Sequence, residues 1–383
     1  MQIVHIITGL EDGGAEAALY RLCCFETQYR HIVVSMIGEG KYGPLLHHAG
    51  IETCCLNMPQ GRLTIRGVYR LWQLLRSRQP DVVQTWMYHA DLIGGITARL
   101  AGIKNICWGI RNSDVHAVST KLTTRWVMAV CARLSGWVPA KIVCCAANAI
   151  QVHTELGYST HKFVLIPNGY DLNSFQPDRD ARTRMRRSLG GDDGLPLLGM
   201  IARFDPQKDH GNLMYALSLL KAQAKVFRCV LVGKGLTAEN RQLSELIEKY
   251  HLTAEIVLLG PRNDIPELMN ALDIHILSSA YGEAFPNVLA EAMACGTPCV
   301  ATDVGDSSRI IGETGWIVPK QDAHALAAAI VTGLQLLNDR WEWALRQQAC
   351  RNRIVENFSI DKTVSAYQRV WLECRSPGNL PTP

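Results

Sequence analysis

The chain has 383 residues, of which 48% are apolar and 19% are charged, and its formal net charge is +4. At roughly 100–200 residues per domain this length predicts two domains, and it excludes a disordered chain or a small disulfide-stapled fold. The charge balance does not indicate a nucleic-acid binder, but residues 1–170 carry 16 Lys and Arg against 10 Asp and Glu. This local excess of +6 indicates that the first half faces an anionic partner.

Thirteen cysteines are present, and none has the CxxC spacing of a zinc ribbon or a thiol redox site. Several lie in apolar runs such as residues 142–145, so we expect reduced, buried thiols of a cytosolic protein and no metal cluster.

The opening residues MQIVHIITGL lack the features of a secretory leader, and no stretch has the ~18 uncharged apolar residues of a membrane span. We therefore expect a protein that is neither exported by this route nor membrane-spanning.

Short apolar, β-branched runs alternate with helical patterns along the chain. In the first half these runs lie at residues 2–7, 31–37, 82–86, 105–110 and 141–146. In the second half they lie at residues 197–203, 227–233, 255–260, 273–279 and 297–304. The alternation is typical of βαβ units, and its restart predicts an α/β protein with two doubly wound parallel sheets.

The boundary between the two halves is predicted from composition. Residues 166–177 are rich in Pro, Gly and Asn, and the basic run that follows has no strand pattern, so we place the interdomain linker there. The predicted domains are residues 1–170 and 171–360. After Pro319 the pattern is helical to about Arg375, with Ser359 as a plausible cap, and the tail from residue 376 is expected to fray.

Three motifs follow predicted strands, where open α/β sheets bind ligands. The first is TGLEDGGAE, in which Gly9, Gly13 and Gly14 precede a helix that opens with Ala15 and Glu16. Glycines here let the backbone approach a phosphate or a sugar. The motif is not GxGxxG and lacks a matching acidic residue, so a turn needed only for packing remains an alternative.

The second motif places Arg203 at a strand end and Lys208 five residues later. Two cations at this position suit a diphosphate, because Arg binds two oxygens at once and Lys acts as a mobile point charge. A solvated loop explains the spacing equally well.

The third motif spans residues 278–305. Pro286 suits a first helical turn and Gly296 a helix end, which predicts a short helix over about 286–295. Glu283 then precedes the helix, and Glu291 shares a helix face with Asn287. Taken alone, the pair is also explained by a capping carboxylate and an ordinary surface Glu.

This motif resembles the signature of retaining glycosyltransferases of family 4, which have the GT-B fold. The resemblance lies in the spacing of Glu283 and Glu291, in the AFPNVLA between them and in the AMACGTPCVATDVG that follows. The resemblance extends through the GGAE start and residues 85–92, 166–171, 203–208, 232–235 and 258–264. It implies two Rossmann-like domains that face each other across a cleft, the first for the acceptor and the second for a nucleotide sugar. A final helix at about 361–375 would pack back on the first domain.

The same resemblance implies residue roles. Arg203 and Lys208 would hold the diphosphate, Glu291 the ribose hydroxyls, and Glu283 hydroxyls of the donor sugar. The remaining donor-binding residues would be Ala284, Phe285, Pro286 and Asn287 near the phosphate, Gly13 and Gly14 across the cleft, and Arg262 and Asp264 near the base. Ala284 stands where the family commonly has Gly, a difference that bears on the identity of the sugar.

His89 follows the predicted strand 82–86, and Arg111 follows the strand that ends at 110. A lone His is more often structural, but the resemblance implies that His89 contacts the donor sugar, through a hydrogen bond or by stabilising charge on the leaving group. Arg111 would line the acceptor side, or form a surface ion pair.

Fixed cations and helix N–H groups stabilise a departing diphosphate without metal, so we expect no metal and no cofactor. Glu283 then positions the donor, since same-face attack needs no covalent nucleophile.

The basic residues of the first half suggest a membrane surface. Residues 53–80 contain no acids, and Arg62, Arg66 and Arg70 accompany Trp72 in a predicted amphipathic helix, which suits an anionic inner leaflet. A second helix at 121–137 offers similar residues, namely Lys121, Arg125, Trp126, Arg133 and Trp137. A solvated face, or a core-facing apolar side, is the alternative for each.

The sequence therefore predicts a cytoplasmic, peripheral membrane enzyme that transfers a sugar from a uridine-based nucleotide diphosphate donor to a lipid-linked saccharide. A nicotinamide-dependent dehydrogenase or sugar-nucleotide epimerase is the alternative enzyme class, although no dinucleotide fingerprint is found. A catalytically silent nucleotide-sugar binder is the third hypothesis, and the intact pair of Glu283 and Glu291 argues against it.

Overall fold

The computed structural model describes residues 1–113, 122–190 and 194–375, and Lys121 and the tail from residue 376 lie outside them. The chain divides into two compact units, one formed by Met1–Gly169 with the segment that begins at Ile360, and one formed by Tyr170–Ser359. Each unit has a parallel sheet with helices packed on it, the arrangement that buries both faces of a parallel sheet.

The first unit has a seven-stranded sheet of order β3-β2-β1-β4-β5-β6-β7. Its strands are β1 (Gln2–Ile7), β2 (Arg30–Ser35), β3 (Glu52–Cys55), β4 (Val82–Trp86), β5 (Ile106–Ile110), β6 (Lys141–Cys144) and β7 (Phe163–Leu165). Its helices include α1 (Gly14–Phe25), α2 (Tyr42–His48), α3 (Ile65–Arg78), α4 (Tyr88–Leu100), α5 (Leu122–Leu134) and α6 (Ala147–Glu155), with a 3-10 turn at Thr160–Lys162. Ile3 pairs with His31 of β2 on one side and with Val82 of β4 on the other.

The second unit has a six-stranded sheet of order β10-β9-β8-β11-β12-β13. Its strands are β8 (Leu197–Ile201), β9 (Arg228–Val232), β10 (Ile256–Gly260), β11 (Ile274–Leu277), β12 (Cys299–Thr302) and β13 (Trp316–Val318). Its helices are α7 (Arg179–Ser188), α8 (His210–Ala222), α9 (Arg241–Lys249), α10 (Ile265–Ala271), α11 (Asn287–Ala294), α12 (Ser307–Ile311), α13 (Ala323–Leu336) and α14 (Arg340–Asn357), with a 3-10 turn at Pro206–Lys208.

The last helix, α15 (Ile360–Arg375), belongs to the first unit. Trp371 and Tyr367 are buried in the core of that unit, and the indole of Trp371 donates to Oε1 of Gln84 on β4 at 3.2 Å. The Tyr367 ring lies over Trp86, with ring centroids 6.0 Å apart. The helix is therefore an integral part of the first unit's core.

Several local predictions are corrected by the structure. The short strands β3, β7 and β13 were not predicted, because three or four partly buried residues give too weak a pattern. The basic run after residue 177, for which no strand was predicted, forms a helix that the sequence analysis did not predict, α7. Asp178 caps α7 through Ala181 N, and Arg186 anchors it in an ion pair with Asp273 at 3.1 Å. The amphipathic helix predicted within residues 53–80 begins only at Ile65, where Thr64 caps it, so Arg62 lies in the preceding turn.

All thirteen cysteines are free, and ten of them are buried. This agrees with the predicted reduced thiols. Over the described ranges, no helix has the length and apolar character needed to cross a membrane.

Candidate active site

Four of the predicted site residues, two in each unit, lie at the carboxyl edge of a sheet, at the point where the strand order reverses. In the first unit this switch point is between β1 and β4, and in the second it is between β8 and β11. Helices that follow neighbouring strands diverge at a switch point and leave a crevice for ligands. Gly13 and His89 follow β1 and β4, while Lys208 and Glu283 follow β8 and β11.

An ion pair between Lys208 and Glu283 forms the centre of the site in the second unit. Lys208 Nζ contacts Glu283 Oε1, and the two side chains are only 13% and 9% exposed. Ser279 Oγ donates to the same carboxylate oxygen at 2.7 Å. The cation and the carboxylate are therefore held together at the edge of the sheet before any ligand arrives.

Backbone contacts fix the loops that carry this pair. Ser278 Oγ donates to the carbonyl oxygen of Lys208 at 2.8 Å, and Ala280 N donates to the carbonyl oxygen of Gln207 at 2.9 Å. The other side of the loop packs on Gly305, where a Cβ atom would lie 2.3 Å from the carbonyl oxygen of Glu283. Gly305 also has φ +62°, so only glycine meets both requirements.

Helix α11 directs its N-terminus toward the same loop. It begins at Asn287 and ends at Ala294, one residue shorter at each end than predicted, with Pro286 as N-cap and Gly296 in a left-handed conformation just beyond its end. Ala284, Phe285 and Pro286 are buried, and Glu291 lies one helical turn after Asn287. The N–H groups of the first turn and the positive end of the helix dipole make this end favourable for an anion.

The remaining cations predicted for the donor are engaged with neighbouring side chains. The exposed guanidinium of Arg203 donates to Asp205 Oδ2 at 3.0 Å and to Gln207 Oε1 at 3.1 Å. Arg262 binds both carboxylate oxygens of Asp264, and this hydrogen-bonded pair lowers the pKa of Asp264. Both pairs lie near the surface, so a ligand phosphate can compete for them.

In the first unit, Gly13 and His89 flank the switch point. Gly13 is the extended N-cap of α1, which begins at Gly14, and its carbonyl oxygen accepts from Ala17 N at 3.0 Å. His89 is the second residue of α4 and is half-buried, and burial lowers the pKa of its imidazole. We infer that His89 is mainly neutral at pH 7, a state in which it can both donate and accept a hydrogen bond.

Asp91 is a buried residue in the first turn of α4 that the sequence analysis missed. Its Oδ1 accepts from Thr85 Oγ1 at 2.5 Å and from Gly109 N at 3.1 Å, while the Gly109 carbonyl oxygen accepts from Met87 N at 2.8 Å. Burial raises the pKa of Asp91 to about 8. Met87 has φ +71°, a conformation costly for a non-glycine residue, and these hydrogen bonds help to maintain it.

Arg111 is half-buried and held by three neighbours. Its guanidinium lies 4.5 Å from the ring centroid of Trp86, and it donates to Asn168 Oδ1 at 2.5 Å and to the Tyr367 hydroxyl. The residue thus connects the end of β5 to α15 and to the segment before Gly169. Among the described residues, Arg111 has these polar and aromatic partners and no ion pair, so the alternative of a surface ion pair gains no support there.

Among the described residues, one group of side chains has donor atoms close enough to share a metal ion, namely His5, Cys23 and His31. Trp86 Nε1 donates to His5 Nδ1 at 3.2 Å, which assigns the His5 proton to Nε2. His5 Nε2 then donates to His31 Nδ1 at 2.9 Å, and His31 Nε2 donates to Glu26 at 2.7 Å. Because all four ring nitrogens have partners, the group fits a buried hydrogen-bond chain better than a metal site.

The basic surface of the first unit differs in detail from the prediction. Arg62, Arg66 and Arg70 are exposed, but Trp72 is half-buried and donates to the carbonyl oxygen of Leu100 at 3.3 Å. The exposed apolar side chains are instead Leu63, Ile65 and Tyr69. On α5, Trp126 is 66% exposed beside Arg125, whereas Val127, Met128, Cys131 and Ala132 are buried in the core.

Comparison with known proteins identifies the class. The family model described as Glycosyltransferase Family 4 matches residues 12–174, and the one described as Glycosyl transferases group 1 matches residues 181–353. The chain therefore belongs to the glycosyltransferases, with a family 4 domain followed by a group 1 domain. The family prediction is confirmed, and the dehydrogenase alternative gains no support.

Curated relatives are bacterial glycosyltransferases. The chain is 25% identical to UDP-Gal:alpha-D-GlcNAc-diphosphoundecaprenol alpha-1,3-galactosyltransferase of Escherichia coli over 84% of this chain and 83% of that enzyme. It is 33% identical to the phosphatidyl-myo-inositol mannosyltransferase of Mycolicibacterium smegmatis, over 44% of this chain and 42% of the relative. The second alignment thus spans less than half of either protein.

A solved structure confirms the predicted fold class. Anabaena HepE in complex with UDP and glucose superposes with a TM-score of 0.84 at 21% identity, covering 97% of this chain and all of that one. The two parallel-sheet α/β units are those of a GT-B glycosyltransferase.

Proposed function

We propose that this glycosyltransferase moves a sugar from a uridine diphosphate donor to a saccharide hydroxyl on a lipid-linked carrier, with retention of the anomeric configuration. The observation that carries the proposal is the Lys208–Glu283 pair at the switch point of the second unit, next to the N-terminus of α11. The E. coli relative is named for a UDP-galactose donor and a diphosphoundecaprenol-linked acceptor, and the Anabaena structure holds UDP.

The site suits departure of a nucleoside diphosphate. Negative charge grows on the diphosphate as the glycosidic bond breaks, and pre-arranged positive groups stabilise that charge most when they need not move. Lys208 and Arg203 are the cations that follow β8, and the first turn of α11 adds N–H groups. These groups supply the positive charge that a divalent ion would otherwise provide, so we propose catalysis without metal.

Glu283 and Glu291 have different tasks in this proposal. Glu283 is fixed by Lys208 and Ser279, and it accepts hydrogen bonds from hydroxyls of the donor sugar. Glu291, one helical turn into α11, accepts from the ribose hydroxyls. The acceptor hydroxyl attacks from the face that the diphosphate leaves, and a diphosphate oxygen takes its proton, so neither carboxylate acts as a nucleophile.

The first unit provides the acceptor site. Gly13 and Gly14 allow close approach of a ligand to the backbone, and neutral His89 forms a hydrogen bond to the transferred sugar. Arg111 shapes the acceptor side by holding β5 and α15 in place, since its guanidinium is already bound to Asn168 and Tyr367.

We further propose that the enzyme works at the inner face of the cell membrane, where a lipid-linked acceptor is located. Exposed Arg62, Arg66 and Arg70 alternate with exposed Leu63, Ile65 and Tyr69 around the start of α3. Basic side chains attract anionic headgroups and apolar ones enter the interface, which together give reversible peripheral binding.

A transfer assay tests the proposal. The purified protein is incubated with UDP-, GDP- and ADP-sugars, a diphosphoundecaprenol-linked saccharide and either EDTA or Mg²⁺, and the product linkage is determined by NMR. We expect transfer from a UDP-sugar that EDTA does not reduce, with an α-linked product from an α-linked donor. Inversion, a metal requirement or transfer only from another nucleotide would each overturn the corresponding part of the proposal.

A further inference from the structure

The two chain segments that join the units run side by side. The chain leaves the first unit at Gly169 and re-enters it at Ile360. Tyr170 N donates to the carbonyl oxygen of Phe358 at 3.0 Å, and Tyr170 pairs with Ser359 in a parallel bridge. We call residues 169–171 and 358–360 the crossing segments.

Each crossing segment also contacts the loop in front of α11. The hydroxyl of Tyr170 donates to Asn287 Oδ1 at 2.6 Å, although 117 residues separate the two. On the other segment, the ring of Phe358 packs edge-to-face against Phe285, with ring centroids 5.4 Å apart. Tyr170 is fully buried and Phe285 and Phe358 nearly so, so these side chains have little room to adopt other rotamers.

The contacted residues are the ones whose placement matters most for a bound phosphate. Asn287 is the first residue of α11, and Phe285 lies two residues before it. A helix N-terminus binds an anion through N–H groups whose direction is set by the first turn, so a small displacement of Asn287 weakens several contacts at once. Neither Tyr170 nor Phe358 belongs to the site proposed above.

We infer that Tyr170 and Phe358 are positioning residues that couple donor binding in the Ala284–Asn287 loop to the order of the crossing segments. The inference rests on the proposed donor site. A diphosphate at the N-terminus of α11 restrains Asn287 and Phe285, and these restrain Tyr170 and Phe358 through the hydroxyl bond and the ring contact. The same coupling acts in reverse, because any effect of one site on another is reciprocal.

Hydrogen exchange with UDP as the probe tests the coupling in the unmodified protein. The amide of Tyr170 is bonded to Phe358, so it reports directly on the pairing of the crossing segments. We expect saturating UDP to slow exchange in peptides that contain residues 170–172 and 358–360 at least fivefold. Unchanged exchange there, with UDP bound and the α11 peptide protected, would overturn the inference.

Substitution of Tyr170 by Phe removes the hydroxyl and keeps the ring. For Y170F we expect the Kd of UDP and the donor KM to rise about tenfold, with kcat and the acceptor KM within about twofold and little change in Tm. The matched control is Y215F on α8, which removes a hydroxyl bond to His324 (3.3 Å) elsewhere in the same unit. Wild-type UDP affinity and wild-type protection in Y170F would contradict the inference.

A double-mutant cycle separates coupling from loss of stability. In an N287A background the Tyr170 hydroxyl has lost the Asn287 partner, so we expect Y170F to weaken UDP binding no further. Full additivity of the two changes would contradict the inference. If the wild-type protein binds no nucleotide diphosphate at all, the proposed function fails first, and that result is distinguishable from intact binding without coupling.

Discussion

Lys208 and Glu283 form a largely buried ion pair although 75 residues separate them in the chain. The pair exists because β8 and β11 are neighbours in the sheet and their following loops meet at one edge. Burying either charge alone would be costly, so each side chain helps to determine the position of the other.

Replacing Glu283 with Gln should abolish most transfer while the protein still folds. The amide keeps a hydrogen-bond acceptor but removes the charge that balances Lys208, and it binds sugar hydroxyls less strongly. Since one tenfold change in rate corresponds to about 1.4 kcal/mol, loss of charge-assisted bonds worth about 3 kcal/mol predicts a fall in kcat of roughly 100-fold. The control is E255Q, which removes the charge of Glu255 from the partly exposed Lys221–Glu255 pair (2.9 Å) and should leave kcat unchanged. Wild-type transfer by E283Q would refute the assigned role.

Gly305 supports the Glu283 loop, so G305A should weaken donor binding. An added methyl group would lie 2.3 Å from the carbonyl oxygen of Glu283, and the loop must shift to accommodate it. Gly50 has a similar positive φ of +77° but open space around its Cα, so G50A carries the backbone strain without the clash. We expect both variants to lose roughly 1 kcal/mol of stability from strain, and G305A alone to lose UDP affinity, measured by calorimetry. Equal UDP affinity in the two variants would contradict this explanation.

The buried carboxyl group of Asp91 should make the stability of the folded protein depend on pH. Burial raises its pKa to about 8, above the ordinary value of about 4, so the folded protein keeps a proton that the unfolded chain loses. The stabilisation is therefore complete below about pH 4 and is lost as the pH rises through about 8. D91N keeps Oδ1 as acceptor for Thr85 and Gly109 and cannot ionise. The Tm of the wild type relative to D91N should fall as the pH rises from about 4 to about 8 and stay level above it, and a constant difference over this range would disprove the assignment.

The basic residues around α3 should control membrane binding. Changing Arg62, Arg66 and Arg70 together to Glu reverses three charges and so changes the charge of an exposed surface by about six units, and attraction to an anionic leaflet is worth about 1 kcal/mol per Arg near the surface. We expect binding to phosphatidylglycerol-containing vesicles to fall at least 100-fold in a sedimentation assay. The matched control changes exposed Arg179, Arg184 and Arg187 of α7, in the other unit, to Glu. An equal loss in both variants would indicate a general charge effect.

Much of the fold could be predicted from the sequence, because buried parallel strands are continuous apolar runs. The strands Gln2–Ile7 and Val82–Trp86 match the predicted residues at both ends. The helix formed by the basic run 179–187 was not predicted, since a tertiary contact anchors it, namely the bond of Arg186 to Asp273, 87 residues away.

The site residues likewise divide into those that local sequence indicates and those that depend on tertiary contacts. Glu283, Glu291 and Lys208 could be proposed as site residues from the sequence because their motifs are local in sequence. Tyr170 and Asp91 were not, because each acts through partners that only the folded chain brings near, namely Asn287 for Tyr170 and Gly109 for Asp91. Leu71 and Leu75 lie on the predicted amphipathic helix and are buried in the core, and periodicity alone does not distinguish a core-facing side of a helix from a membrane-facing one.

The central claim is that the second unit binds a nucleoside diphosphate through Lys208, and isothermal titration with UDP tests it most directly. The comparison is between the wild type, K208A and the control K221A. The control removes a lysine of α8, in the same unit, that is paired with Glu255. We predict that the wild type and K221A bind UDP with equal affinity, unaffected by EDTA, and that K208A binds at least 30-fold more weakly. Equal binding by K208A, or no binding of UDP by the wild type, would contradict the account.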